Sequence, residues 1–375
     1  MYKPSWKVGV LFSRTGPLSV IEETQLRGTM LAIHEINDLG GVNGRPIKPV
    51  YYDPASDAPM FGKFAKRMMV EDGVKTIFGC YSSSSRKSVV PVVERLNGLL
   101  WYPTVYEGFE FSTNVIYTGA APNQNCVELC HFLMKHYGSR FYFVGTDYVY
   151  PRVSNKIVRE FVTSNGGQVV GEQYVGLNAK HSDYSPIMRD IKKLKPDVIF
   201  STVVGRSTAD LYQTYCDFGF DPSAMPIASL TTTEAEVRAM GADVGEGHIT
   251  AAPYFEGVNN NMSLSFSNRY KLRYGSDEPT NTCVETAYFQ VHMFAEALKR
   301  SNSLSTEKLR ANVLGIDYEA PQGNVSINSS SAHADVWTRV GRANRSGLFD
   351  IIHTSKSAVA ADPYLLSYGM RNVFT

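Results

Sequence analysis

The residues Tyr81-Ser82-Ser83-Ser84-Ser85 lead from the apolar run "VKTIFGC" into the amphipathic run "SRKSVVPVVERLN". A turn alone needs no such row of hydroxyls. The first turn of a helix has N–H groups without intrahelical partners, and serines there either cap them or leave them to a ligand. Comparable residues follow the other β-rich runs. Tyr102-Pro103-Thr104 follows "GLLW", Thr146-Asp147-Tyr148-Val149-Tyr150 follows "FYFVG", Arg206-Ser207-Thr208 follows "VIFSTVVG", and Thr231-Thr232-Thr233-Glu234 follows "IASL". This set is rich in hydroxyls and rings and poor in charge. It suits a small neutral polar molecule, with tyrosines giving an apolar wall that ends in a hydroxyl. A free amino acid needs fixed charges for its ammonium and carboxylate, and a sugar is usually met by several carboxylates or amides.

Other chemistries fit less well. "FGCYSS" lacks the glycines of a nucleophile elbow. No Walker A lysine loop is present, and Gly40-Gly41-Val42-Asn43-Gly44 follows a helix rather than a strand, which rules out a dinucleotide fingerprint. Cys126 and Cys130 with His131 could suggest a metal site, but no second Cys/His pair stands at a matching spacing; they read as small residues on a buried helix face. His34, His131 and His136 read as packed or exposed helix residues. An amidase built on Cys80 would need a neighbouring base that the sequence does not nominate. No catalytic residue, metal or cofactor is assigned. Arg86 and Lys87, in the first helical turn, read as solvated.

Around these loops the chain alternates strand and helix, so a mostly parallel sheet with helices on both faces is expected. "WKVGVLFS" is a strand, and "VIEETQLRGTMLAIHEIND" is a helix closed by Gly40-Gly41. The rhythm runs to about residue 122, restarts after "APNQN", and continues to about 250. "HITAAPYF" and the long helix "ETAYFQVHMFAEALKR" then have no sheet of their own, and the simplest packing returns them to the first unit. Two doubly wound α/β lobes joined by several crossings make a cleft, and ligands of open parallel sheets sit outside the carboxyl ends of the strands. The composition agrees: 375 residues, 43% hydrophobic, 19% charged, with Lys+Arg 37 against Asp+Glu 36. A near-zero net charge gives no reason to expect direct binding to nucleic acid or an anionic membrane.

The stretches "INDLGGVNGRPI", "DPASD", "GCYSSSSRKSVVPVVERLNGLLWYPTVYEGFE", "PNQN", "GTDYVYPRVSNKI", "PDVIFSTVVG", "EAPQGNV" and "ADPY" together carry a resemblance through nearly the whole chain. The chain resembles the type I periplasmic-binding-protein family, in the branch holding the AmiC-like amide sensors of amidase operons and the urea or short-chain amide receptors of ABC transporters. The resemblance implies a hinged binder with an inter-lobe cleft, its N-terminal lobe formed by 1–121 and 252–328 and its C-terminal lobe by 122–251 and 329–375. It implies that Tyr81, Ser82, Ser83, Tyr102, Pro103 and Thr104 line one wall, that Tyr148 closes from the other lobe, and that Thr231 lies nearby. Ser83 would bond a short aliphatic amide or urea, and Tyr81 and Tyr102 would limit the alkyl chain.

"GCYSS", "YPTVYEGFE" and "SLTTTEAEV" look more like the sensor; "DPASD" and "ERLNGLLWYP" look more like the urea receptors. The leading expectation is a non-catalytic amide sensor whose lobe closure signals to an antiterminator regulator. The alternative is a periplasmic urea or amide receptor serving an ABC permease, and a weaker one is an amide-hydrolysing enzyme. A homo-oligomer stays open. Free Cys80, Cys126, Cys130, Cys216 and Cys283 favour a reducing compartment. The start "MYKPSWKVGVLFSRTGPL" enters its first strand without an apolar signal segment. A cytoplasmic location is therefore expected, with the periplasm as the alternative if a signal peptide has been removed.

Overall fold

A computed structural model describes residues 5–368. The chain opens with β1 (Trp6–Leu11), α1 (Ser19–Asp38), β2 (Ile47–Tyr51), α2 (Ala58–Val70), β3 (Thr76–Gly79), α3 (Ser83–Arg95), β4 (Leu99–Tyr102) and β5 (Val115–Tyr117). It continues with α4 (Cys126–His136), β6 (Arg140–Thr146), α5 (Val149–Ser164), β7 (Gln168–Val175), α6 (His181–Leu194), β8 (Val198–Thr202) and α7 (Ser207–Asp217). Then come β9 (Ile227–Ser229), α8 (Glu234–Met240), α9 (Ala242–Gly245), β10 (Ile249–Ala252), α10 (Asn261–Tyr274), α11 (Thr282–Ser301) and α12 (Thr306–Val313). The last strands are β11 (Asp317–Ala320), β12 (Gly323–Ile327), β13 (Ala334–Asp335), β14 (Arg339–Ala343) and β15 (Phe349–Thr354).

These elements form two compact units. The first comprises the chain up to Thr104, Glu110–Ala120 and Asn260–Val336; the second comprises Val105–Phe109, Ala121–Asn259 and the chain from Trp337 onward. Each unit is an α/β fold on a parallel sheet.

In the first unit the sheet order is β2-β1-β3-β4-β5, with every pairing parallel. β3 and β4 are buried along their whole length, as strands covered on both faces must be, and so read as unbroken apolar runs. α1 packs on α11 so closely that a Cβ on Gly28 would stand 2.3 Å from the carbonyl oxygen of Val284. α1 stops where expected: Gly40 and Gly41 have φ of 95° and 72°, and their N–H groups bond the carbonyls of Asn37 and Ile36. A small antiparallel sheet of β11, β12 and β13 completes this unit.

In the second unit the order is β15-β14-β10-β9-β8-β6-β7, parallel from β7 to β10 and antiparallel at β14 and β15. This corrects the reading of "HITAAPYF". Its strand β10 is not returned to the first unit; it lies between β9 and β14 in the second sheet, and the chain leaves only after Asn259. The partner that completes this edge, β14, follows ninety residues later in sequence, beyond the reach of a local pattern. Cys126 and Cys130 lie in the hydrophobic core beneath this sheet, with Leu129, Phe143, Ile157 and Phe200.

Candidate functional site

The parallel order puts the carboxyl ends of β1, β3 and β4 side by side, and the loops that leave them are bonded into one wall. Ser82 caps α3: its hydroxyl accepts from the Ser85 N–H at 3.1 Å and donates to the Ser85 hydroxyl at 2.9 Å. Ser83 is buried, and its Oγ accepts from Arg86 Nη1 at 3.1 Å. From β4, the Tyr102 hydroxyl donates to the Tyr81 carbonyl at 2.8 Å, and the Thr104 hydroxyl donates to the Cys80 carbonyl at 3.1 Å. Pro103 is buried between them. From α1, Gln25 Nε2 donates to Thr104 Oγ1 at 2.8 Å, and Glu22 Oε2 accepts from the Ser13 N–H at 2.6 Å. Tyr81, Ser82, Ser83, Tyr102, Pro103 and Thr104 therefore come together, as the sequence led one to expect.

Four members of this wall were not expected. Arg86 is not solvated but fully buried: its Nε donates to Glu110 Oε1 at 2.8 Å, and its guanidinium sits 4.8 Å from the centre of the Tyr102 ring. Lys87, which is exposed, reaches the other oxygen of Glu110 at 3.2 Å. Burial alone would raise the Glu110 pKa; the Arg86 and Lys87 charges and hydrogen bonds outweigh it and hold the carboxyl below its ordinary value. The Tyr117 hydroxyl donates to the same carboxylate, and Tyr117 carries the His333 ring flat against it. Glu22 and Gln25 complete the missed set. Burial, with a smaller push from Asp53, raises the Glu22 carboxyl to about 8 against the pull of the Ser13 bonds. Glu22 Oε1 and Gln25 Oε1 are buried with no hydrogen-bond partner among the described residues. The spacing of Glu22 and Gln25, three apart on one helix, is the signal that could have found them.

The second unit has its own strand-end loops. Tyr148 is half-buried in extended backbone just before α5, with its ring 6.3 Å from that of Tyr150. Thr231 follows β9; its hydroxyl donates to the Val203 carbonyl at 3.1 Å, and its N–H donates to Ser229 Oγ at 3.0 Å. Beyond it, Thr233 and Glu236 form a capping box on α8. Glu234 is buried; one oxygen accepts from the Glu256 N–H at 2.9 Å and the other has no hydrogen-bond partner among the described residues. Burial pushes Glu234 up to about 8 and Glu236 to about 7.

The model of the periplasmic binding protein domain matches residues 6–369. The chain belongs to the periplasmic binding protein family. One relative in this family is the leucine-, isoleucine-, valine-, threonine- and alanine-binding protein of Pseudomonas aeruginosa, 25% identical over 327 residues that cover 86% of this chain and 85% of the relative. Among solved structures, an ABC-transporter solute-binding protein of Rhodopseudomonas palustris BisB5 in complex with 3,4-dihydroxybenzoic acid superposes with a TM-score of 0.85 at 20% identity, covering 95% of this chain and 98% of that one. A Streptococcus pneumoniae branched-chain amino acid binding protein in complex with isoleucine gives 0.83 at 18%, covering 94% and 100%.

Family membership corrects the cytoplasmic location read from the sequence: its members are periplasmic binding proteins. The free thiols that favoured a reducing compartment have a different physical basis. Cys80, Cys126, Cys130 and Cys283 are buried, and burial raises the thiols of Cys80, Cys126 and Cys130, so these groups are protonated and shielded whatever the redox poise outside. The family also carries a cavity of about 710 Å³ in the second unit of this chain, lined by Tyr137, Tyr215, Phe220, His248 and Arg342. It lies at the start of β10, away from the strand ends that hold the residues described above.

Proposed function

We propose that this periplasmic binding protein is the solute-binding component of an ABC transporter and that its solute is a short-chain aliphatic amide or urea. One observation carries the choice of a neutral solute: every buried charge in the wall at β1, β3 and β4 is already cancelled. Arg86 is matched by Glu110, and Glu22 is held protonated at neutral pH. What the wall offers is hydroxyls, rings and the N-terminus of α3, a set that suits a carbonyl and an NH₂ group better than an ammonium and a carboxylate. Tyr81, Ser82, Ser83, Tyr102, Pro103 and Thr104 are proposed as solute-binding residues, with Ser83 bonding the amide. Tyr148 and Thr231 are proposed to contribute to affinity.

Transport is preferred over the regulatory sensor because the named relatives are transport receptors and solute-binding proteins, so the proposed protein partner is a permease rather than an antiterminator. The protein is proposed to bind without turnover; ammonia release from acetamide would contradict that. A second reading, a branched-chain amino acid receptor, is favoured by the Pseudomonas aeruginosa relative and by the unpartnered buried oxygen of Glu234, which could accept an ammonium group. Calorimetric titration with urea, formamide, acetamide, propionamide and leucine tests both. Saturable binding of an amide or urea, with no heat from leucine, is the expected outcome; leucine binding that is lost in Glu234→Gln would replace it with the second reading.

A further inference from the structure

The predicted contact residue of the wall, Ser83, does not stand alone. Arg86 is one turn further along α3 and donates to the Ser83 hydroxyl oxygen at 3.1 Å. Arg86 cannot drift: its Nε and Nη2 grip the two oxygens of Glu110 at 2.8 and 3.4 Å, and its planar face lies over Tyr102. Glu110 is itself fixed by the Tyr117 hydroxyl at 3.0 Å and by Lys87. Desolvating an arginine is costly, and only a paired and fully bonded one is tolerated inside. A chain that needed Arg86 only for packing would bury an apolar residue there more cheaply.

A hydroxyl carries one hydrogen and two lone pairs. A donor from Arg86 occupies a lone pair, so the Ser83 hydrogen must be directed at an acceptor, and the adjacent positive charge polarises that O–H towards donation. Taking the proposed solute class as the premise, we propose that Arg86, clamped by Glu110, is the positioning residue that sets Ser83 as a hydrogen-bond donor and thereby selects solutes through a carbonyl oxygen. Lysine cannot replace it, since a single ammonium on a flexible stem does not hold Glu110 and Ser83 together in one plane.

The test compares acetamide with thioacetamide, whose sulfur is a far weaker acceptor, by calorimetric titration of the full chain. The unmodified protein is expected to prefer acetamide. In Arg86→Lys, Glu110→Gln and Ser83→Ala the acetamide affinity is expected to fall about five- to tenfold, as for one hydrogen bond lost, while thioacetamide binding hardly changes. Combining Arg86→Lys with Ser83→Ala should cost no more than Ser83→Ala alone, because both remove the same bond. Glu110→Gln, at a partly exposed side chain, keeps the comparison open should Arg86→Lys fail to fold. Equal loss for both solutes in Arg86→Lys and Glu110→Gln would mean a purely structural role and would overturn the inference while leaving the amide reading intact. An unmodified protein that binds neither solute would overturn both.

Discussion

Gln25 Nε2 donates across 2.8 Å to the hydroxyl of Thr104, linking the middle of α1 to the loop that leaves β4. Thr104 passes the bond on to the Cys80 carbonyl, so one buried chain of donors fixes two strand-end loops at once.

Cutting this chain on one side leaves the other side buried without a partner. Thr104→Val and Gln25→Leu are each expected to destabilise the protein by about 1–3 kcal/mol, the desolvation cost of an orphaned polar group. Urea denaturation should show a lower midpoint with an unchanged slope. The double variant should cost less than the sum, since it removes both ends of one bond.

Buried titratable groups give the stability two pH limbs. Burial holds Glu22 and Glu234 at about 8 and Glu236 at about 7. Between the ordinary carboxylate range and those values the folded chain keeps protons that the unfolded chain has released, so stability falls as pH rises. His248 and His333 are lowered by burial to about 3 and about 4. Between those values and the ordinary histidine value the unfolded chain binds protons that the folded chain does not, so stability falls as pH drops. Calorimetric melting from pH 3 to 9 should show a steep decline above about pH 6.5 and an acid limb below about 4.5. Glu22→Gln should flatten the alkaline decline and leave the acid limb unchanged; a melting temperature that climbs from pH 6 to 8 would contradict the assignment.

Gly28→Ala offers a direct contest between propensity and packing. Alanine favours a helix over glycine by about 1 kcal/mol. Its Cβ, however, would stand 2.3 Å from a backbone oxygen of α11, and that oxygen cannot swing aside like a side chain. Overpacking of this kind costs typically about 1–3 kcal/mol. The variant is expected to melt lower than the parent in spite of its higher helix propensity.

Tyr148→Phe removes one hydroxyl from a half-buried ring at the start of α5. Amide affinity is expected to fall by about 0.5–1.5 kcal/mol, the net worth of one neutral hydrogen bond, with the melting temperature unchanged. Titration with acetamide measures the first and calorimetry the second; unaltered affinity would remove Tyr148 from the set of binding residues.

Local pattern was enough to read the α/β alternation, the Gly40-Gly41 stop after α1, and the strand-end loops that carry Tyr81, Ser83, Tyr102 and Thr104. These rest on periodicity and turn chemistry, which neighbouring residues decide. The assignment of β10 failed because its edge is completed by β14, and no local signal ties Ala252 to Arg339. Arg86 was misread for the same reason. Its position in a first helical turn looks solvated until Glu110, in a separate loop, is brought against it. The serine run was half legible: Ser82 is a cap, as serines before helices often are, whereas the Ser83 bond to Arg86 needed the fold.

The pairing of α1 with α11 has a consequence for synthesis. The face of α1 around Gly28 meets Val284, a residue made long after it. At roughly 5–20 residues per second, α1 waits on the order of 10 to 50 seconds for its cover. During that interval the sheet of β1 to β5 can form only with one layer missing. A factor that shields exposed apolar helix surface on nascent chains should therefore raise the yield of this protein, most of all in variants truncated before Thr282.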